Sequence, residues 1–289
     1  MKTSFIGLGI MGSRMAANLL ANNFPITVWN RTASASAALK EKGATVADSL
    51  EAAVQDADVV FSMLSKPEAV ADCFFGEAGA LSQMKKDALW VDCSTNNPAF
   101  TRQAAEEASS HGVRFFEAPV AGSKPQAEGA LLAFFVGAME ADIQPIKPML
   151  EAMGQKIVPF GKVGQGSAYK MLVNIMLAQS MLVFSEAVLL GEKLGIDREL
   201  LLNVVPDLPV IAPFTKFKTD MIRKDDYPVN FPLELMHKDL HLAALSAYEV
   251  GQPLILANAT KEVYAGALRA GMGREDFAAV HRFLEGERD

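Results

Sequence analysis

Two stretches of this sequence place residue types where they could hold a phosphate-bearing ligand. In the first, an apolar run at 3–6 enters Gly7-Leu8-Gly9-Ile10-Met11-Gly12 and leads into a helical stretch ending near Asn22. The glycines take separate jobs there. Gly7 permits the tight turn, Gly9 lets a pyrophosphate approach the backbone, and Gly12 lets the helix pack against the strand, with phosphate charge on the helix N-terminus. Leu8, Ile10 and Met11 complete the backbone of that cradle. In the second, Asn30-Arg31-Thr32 follows the run at 26–29. Proteins specific for NAD put Asp or Glu at this point to hold the adenosine ribose. A carboxylate would repel a 2′-phosphate, whereas a guanidinium binds one bidentately. The expected cofactor is NADP, with NADPH preferred over NADH.

Two further groupings suit a second reactant. Lys170 stands four residues before Asn174, so the two side chains share one face of a helix. An ammonium beside a carbonyl oxygen stabilises the alkoxide that develops as hydride reaches the carbon, and it can donate the proton that completes a reduction. Gly122-Ser123 offers backbone N–H groups and a hydroxyl, which suit a carboxylate.

These residues need elements to place them. Short β-branched and aromatic runs at 3–6, 26–29, 59–63, 89–91, 114–116, 132–136 and 156–160 alternate with longer amphipathic stretches. Alternation of this kind predicts an α/β fold, a mainly parallel sheet covered by helices on both faces. After Gly161 the strand pattern stops, and helical patterns cover 166–194, 198–205, 231–248, 254–270 and 275–285. Gly195 suits the end of the first, and Pro232 and Pro253 sit near helix starts. The expected organisation is a Rossmann-type NADP-binding domain over 1–162 and an all-helical substrate and oligomerisation domain over 163–289. The long helix at 166–194 is expected to belong to both and to line the cleft between them.

Composition narrows the function classes. Of 289 residues, half are hydrophobic and 21% charged, with a net charge of −7 and no basic block, so a nucleic-acid surface is not expected. Two cysteines cannot form a disulfide framework, and a reducing, cytoplasmic setting is expected. Arg14 and the glycines interrupt the apolar N-terminus, so an export signal is not expected. Asn174, Gln179 and Glu186 make 171–190 a buried helix in preference to a bilayer span. The four histidines offer one i, i+4 pair, His237 and His241, with no third ligand at a useful spacing, so a metal-free mechanism is expected.

Over nearly its whole length the chain resembles the β-hydroxyacid dehydrogenase family, and most closely its glyoxylate/succinic semialdehyde reductase branch. The resemblance rests on ordered blocks: the glycine turn followed by Met15-Ala16-Ala17-Asn18-Leu19; Asp92-Cys93-Ser94-Thr95; Glu117-Ala118-Pro119-Val120-Ala121-Gly122-Ser123; Gly164-Gln165-Gly166 with Lys170 and Asn174; and Lys238-Asp239-Leu240. It implies that Lys170 is the general acid and that Asn174 orients the substrate or the lysine. By the same likeness Thr95 meets the nicotinamide end and the substrate, and Leu64, Ser65 and Pro67 wrap the adenosine-to-ribose portion of the cofactor. Lys238 closes over the cofactor, Asp239 holds the local helix or Lys170, and Phe231 caps the substrate pocket. The sequence departs from many relatives at Ala121, where they carry Ser, and Gly129 is displaced by one position.

The expected activity is NADPH-dependent reduction of a small carboxylate-bearing aldehyde. Oxidation of 3-hydroxyisobutyrate, or chemistry like that of tartronate semialdehyde reductase, is the alternative. A non-catalytic dinucleotide-bound scaffold and an imine reductase would both be expected to lack the lysine at 170. No membrane or nucleic-acid partner is expected. Apolar faces at 200–205 and 254–263 imply a homodimer or homotetramer.

Overall fold

The computed structural model describes residues 1–286, so the last three residues of the expected second domain lie outside the described residues. The chain forms two compact units, Met1–Lys170 and Met171–Asp289.

In the first unit, β1 (Thr3–Ile6), β2 (Ile26–Trp29), β3 (Thr45–Val46), β4 (Val59–Ser62), β5 (Leu89–Asp92) and β6 (Arg114–Glu117) form one sheet in the order β3-β2-β1-β4-β5-β6. Every pairing in it is parallel. A parallel sheet is covered on both faces, and alternate residues divide accordingly. Phe5, Val28, Phe61 and Val91 enter one core cluster, and Ile6, Val60, Trp90 and Phe115 enter another. Trp90 stacks on Phe74 at 4.0 Å between ring centroids.

The runs at 132–136 and 156–160 do not extend this sheet. β7 (Val120–Ala121), β8 (Leu132–Val136) and β9 (Gly154–Pro159) make a second, three-stranded sheet, β7 antiparallel and β9 parallel to β8. Pro119, immediately after β6, has no N–H to offer a ladder and marks the break. The two-residue strands β3 and β7 are too short to show a period in sequence, and β9 starts two residues before the run that suggested it.

The long helix, Gln165–Lys193, starts in the first unit. Its opening turn packs so tightly on β8 that a Cβ at Gly166 would meet the Phe135 carbonyl oxygen at 2.2 Å. Tyr169 meets the Phe135 and Phe160 rings at 4.8 and 4.9 Å. This packing carries the compact division to Lys170, beyond the boundary expected at 162. Farther along, Ala178, Met181, Phe184 and Val188 enter the core of the second unit. The helix is long and apolar enough to cross a membrane by composition, and it also buries Asn174 and Ser185. Its C-terminus is closed by a Schellman motif. Gly195, at φ +88°, donates to the Glu192 carbonyl, and Ile196 donates to the Gly191 carbonyl.

The regular structure in the described residues of the second unit is helical, apart from one isolated bridge between Pro232 and Asp276. Helices Arg198–Val204, Leu233–Glu249 and Ile255–Arg269 match the sequence periods within two residues. The stretch at 275–285 is shorter than expected. Asp276 accepts the Ala278 N–H, a 3₁₀ turn Phe277–Ala279 follows, and the helix proper is Val280–Glu285. The short helical segments Pro213–Phe217 and Thr219–Lys224 were not anticipated.

Candidate active site

The carboxyl ends of β1, β2, β4 and β5 converge on the glycine turn. Gly7 has φ +93°, and a Cβ there would meet the Met63 carbonyl oxygen at 2.5 Å. At Gly12 a Cβ would lie 2.0 Å from the Gly7 carbonyl oxygen, so the helix Gly12–Ala21 starts against bare backbone. At Gly9, by contrast, a Cβ would face open space. Among the described residues the N–H groups of Ile10, Met11 and Gly12 have no internal acceptor. A phosphate approaching Gly9 would find both room and donors, as helix N-termini provide. These features fit a bound dinucleotide.

Asn30 serves the turn itself. Its Oδ1 accepts the Leu8 N–H at 2.9 Å, and its Nδ2 donates to the Thr32 carbonyl at 3.0 Å, tying the end of β2 to the glycine loop. Arg31 and Thr32 are exposed, and the Arg31 guanidinium makes no hydrogen bond or ion pair among the described residues. Leu64 is half-buried and donates its N–H to Ser94 Oγ at 2.9 Å. Ser65 is exposed, and Pro67 occupies the first turn of the helix Pro67–Phe74. Thr95, half-buried, follows Ser94 directly.

Behind these loops lies a buried polar network. Asp92 Oδ1 accepts from Ser62 Oγ at 2.7 Å and from Ser94 Oγ at 2.6 Å, and its Oδ2 accepts from Asn96 Nδ2 at 2.8 Å. Ser62 in turn accepts the Trp90 indole N–H. Burial pushes the Asp92 carboxyl above its ordinary range, and these donors oppose the shift. Glu117, at the end of β6, is 1% exposed, and its Oε1 accepts the N–H of Gly164 at 2.6 Å and of Gly166 at 3.2 Å. Burial pushes its carboxyl up to about 7 against the pull of those N–H groups. The signal for both was present in the sequence: an acid closing a strand at its carboxyl end, directly after apolar residues.

Gly122 has φ +118°, and a Cβ there would meet Leu132 at 2.8 Å and Gln126 at 2.9 Å. Ser123 is engaged within its own turn. Its N–H and hydroxyl both donate to Gln126 Oε1, at 2.9 and 3.0 Å, so the two donors offered to a substrate carboxylate already cap the helix Lys124–Glu128.

Lys170 is 7% exposed on the long helix, and Asn174, one turn later, is 1% exposed. Asn174 Nδ2 donates to Asp239 Oδ2, while Asn174 Oδ1 is buried without a hydrogen-bond partner. A carboxylate only accepts, so Asp239 fixes which way the amide faces. Lys238 Nζ lies 2.9 Å from Asp239 Oδ1. The structure therefore joins Asn174, Asp239 and Lys238. Phe231 has its N–H on Asp276 Oδ2 at 3.1 Å and its ring 5.8 Å from that of Phe277.

A parallel sheet with a glycine turn at its carboxyl end and a buried lysine on the long helix at the end of the same unit, followed by a helical unit, fits an NAD(P)-dependent oxidoreductase. Comparison with known proteins narrows the class. Residues 2–161 match the NAD-binding domain of 6-phosphogluconate dehydrogenase, and residues 164–284 match the NAD-binding domain of NADP-dependent 3-hydroxyisobutyrate dehydrogenase. Glyoxylate/succinic semialdehyde reductase 2 of Arabidopsis thaliana, a chloroplastic protein, is 36% identical, over 97% of this chain and 78% of its own length. Glyoxylate/succinic semialdehyde reductase 1 of the same plant is 34% identical over 97% of both. The 3-hydroxyisobutyrate dehydrogenase of Mycobacterium tuberculosis, solved with L-serine, superposes with a TM-score of 0.88 at 31% identity over 99% of both chains. The chain belongs to the 3-hydroxyisobutyrate dehydrogenase-like family of NAD(P)-dependent oxidoreductases.

Proposed function

We propose that this protein is an NADPH-dependent reductase of small carboxylate-bearing aldehydes, of which glyoxylate and succinic semialdehyde are the type, with Lys170 as the general acid. The observation that carries the reading is a buried ammonium one helical turn before an amide whose orientation a buried carboxylate fixes. When bound, the nicotinamide supplies hydride to the carbonyl carbon. Lys170 Nζ donates a proton to the carbonyl oxygen, which balances the hydride as an alcohol forms, and solvent returns the proton. Asn174, held by Asp239, offers its free Oδ1 to orient the ammonium or the product hydroxyl. In this reading Thr95 would meet the nicotinamide end, Leu64, Ser65 and Pro67 would hold the adenosine side, Lys238 would contact the cofactor and Phe231 the substrate. A carboxylate reaching Gly122-Ser123 replaces Gln126 as the acceptor of the same two donors.

Arg31 supports the preference for NADPH, because its free guanidinium stands where NAD-specific proteins carry an acid. In Arg31→Ala the NADPH/NADH ratio of specificity constants should fall about tenfold or more; an unchanged ratio removes the assignment. Steady-state turnover with a dozen short aldehydes and 2-oxoacids tests the substrate class. Glyoxylate or succinic semialdehyde should lead, and activity confined to 3-hydroxyisobutyrate oxidation would reverse the reading. That second reading is favoured by the mycobacterial likeness and by the family description of residues 164–284.

Self-association belongs to the same proposal. Leu172, Met176, Val183 and Leu190 are exposed at four- and seven-residue steps along the long helix, and Leu200, Val204, Ile255 and Leu256 are exposed in the same unit. Apolar area of this kind is covered in a homodimer or homotetramer. Light scattering that returns a 31.1 kDa species at micromolar concentration would contradict it. The free cysteines Cys73 and Cys93 fit a cytoplasmic setting.

A further inference from the structure

Glu117 has no part in the chemistry described above, yet it is a buried acid that meets the start of the helix carrying Lys170. Its Oε1 accepts two donors at that helix start, the N–H groups of Gly164 and Gly166. The other carboxyl oxygen, Oε2, is buried with no hydrogen-bond partner. Room for the group is made by Gly137, where a Cβ would come within 2.1 Å of the Glu117 carboxyl carbon. Two further contacts fix the same turn: Gly166 against the Phe135 carbonyl, and the 2.9 Å bond between Ser167 Oγ and Thr101 Oγ1. Lys170 lies four residues beyond Gly166, about one turn and 6 Å along the axis. A shift at the first turn is therefore delivered to the lysine with little flexible chain between. All of these residues belong to the unit that also holds the glycine turn.

We propose that Glu117 is a positioning residue for Lys170: its carboxylate seats the first turn of the long helix on the dinucleotide-binding unit and so sets where the ammonium stands for proton transfer. The proposal rests on the reading of Lys170 as general acid. Misplacement of a catalytic group by about 1 Å can cost on the order of 100-fold in rate, so the effect should appear in kcat and leave cofactor binding alone.

The test is a set of purified full-length variants assayed with NADPH and the best aldehyde substrate. Glu117→Ala should lower kcat by about tenfold or more, with NADPH dissociation within about twofold of the wild type. Glu117→Gln keeps an acceptor oxygen and should recover most of that loss. Gly137→Ala displaces the carboxyl without removing it and should reproduce the kcat defect, which keeps the proposal open to refutation if Glu117→Ala fails to fold. In a Lys170→Ala background the further change Glu117→Ala should alter the residual rate by less than about twofold, because both act through one group. A folded Glu117→Ala or Gly137→Ala with wild-type kcat overturns the proposal, as does a Glu117→Ala loss that persists undiminished in the Lys170→Ala background. Wild-type turnover in Lys170→Ala alone removes the reading of Lys170 instead, an outcome recognisable from that single variant.

Discussion

The two units hold their polar groups by different means. In the first, carboxylates and amides bind the backbone or its near neighbours: Asn30 takes the Leu8 N–H, Glu117 takes two glycine N–H groups, and Asp92 gathers hydroxyls from two adjacent strand ends. In the second, Asp276 also takes backbone N–H groups, but the site residues are joined side chain to side chain across long stretches of sequence. Asn174 bonds Asp239, 65 residues away, and Lys218 bonds Asp276, 58 residues away, at 2.7 Å. A site built on backbone depends on where the chain can turn, whereas one built on side-chain pairs depends on the helices staying packed. The first should break at glycines and the second at single charges.

The largest effect is expected from the glycine turn. In Gly12→Ala a Cβ is driven to within 2.0 Å of the Gly7 carbonyl oxygen, which is backbone, with the Phe5 ring at 3.2 Å. Destabilisation of about 4 kcal/mol and loss of NADPH binding should follow, read by thermal melting and cofactor fluorescence. Gly9→Ala meets open space and should fold normally while weakening NADPH binding; equal melting losses in both would break the comparison.

For the second unit, Asp239→Ala leaves the Asn174 amide and the Lys238 ammonium without their shared acceptor. A loss of about 3 kcal/mol in urea unfolding is expected, with a fall in kcat. A variant as stable and as active as the wild type would place the Asn174 orientation elsewhere.

Glu117 sharpens the contrast through pH. Its carboxyl is raised from 4.5 to about 7 by burial, so between those values the folded chain holds a proton that the unfolded chain releases. The sign is that of a raised acid: the stability it contributes is full below the unfolded value and is lost as pH rises through the folded one. Relative to Glu117→Gln, the wild type should lose about 3 kcal/mol from pH 4.5 to 7 and level off above. Parallel stability curves for the two proteins would show that the carboxyl does not titrate there.

The smallest effect concerns Ser123. Gln126→Ala removes the acceptor of both Ser123 donors and should cost about 1 kcal/mol in stability, as loss of a capping box does. It should lower KM for the carboxylate-bearing substrate, because the competing acceptor is gone. A raised KM would mean that the carboxylate binds elsewhere.

The same difference explains what the sequence could reveal. Gly7, Gly9 and Gly12 announce a turn by their spacing, because the requirement on them is local. The strand periods of β1, β2, β4, β5 and β6 are likewise local, and they place the turn at the sheet's carboxyl edge. Lys170 and Asn174 share a face by helix geometry alone. That Asp239 belongs to Asn174 could not be read from sequence, since the packing of two helices decides it. Nor could the capture of Ser123 by Gln126 be weighed, because the same three-residue spacing suits a helix cap and a substrate turn. The separation of β7, β8 and β9 into their own sheet also escaped, for a run of apolar residues does not say which neighbour it will pair with.

The central claim is that the Lys170 ammonium supplies the proton for carbonyl reduction, and single-variant kinetics test it most directly. Lys170→Ala should bind NADPH within about twofold of the wild type while its turnover with glyoxylate or succinic semialdehyde falls by about 100-fold or more. Turnover within a few-fold of the wild type, with cofactor binding intact, would contradict the account.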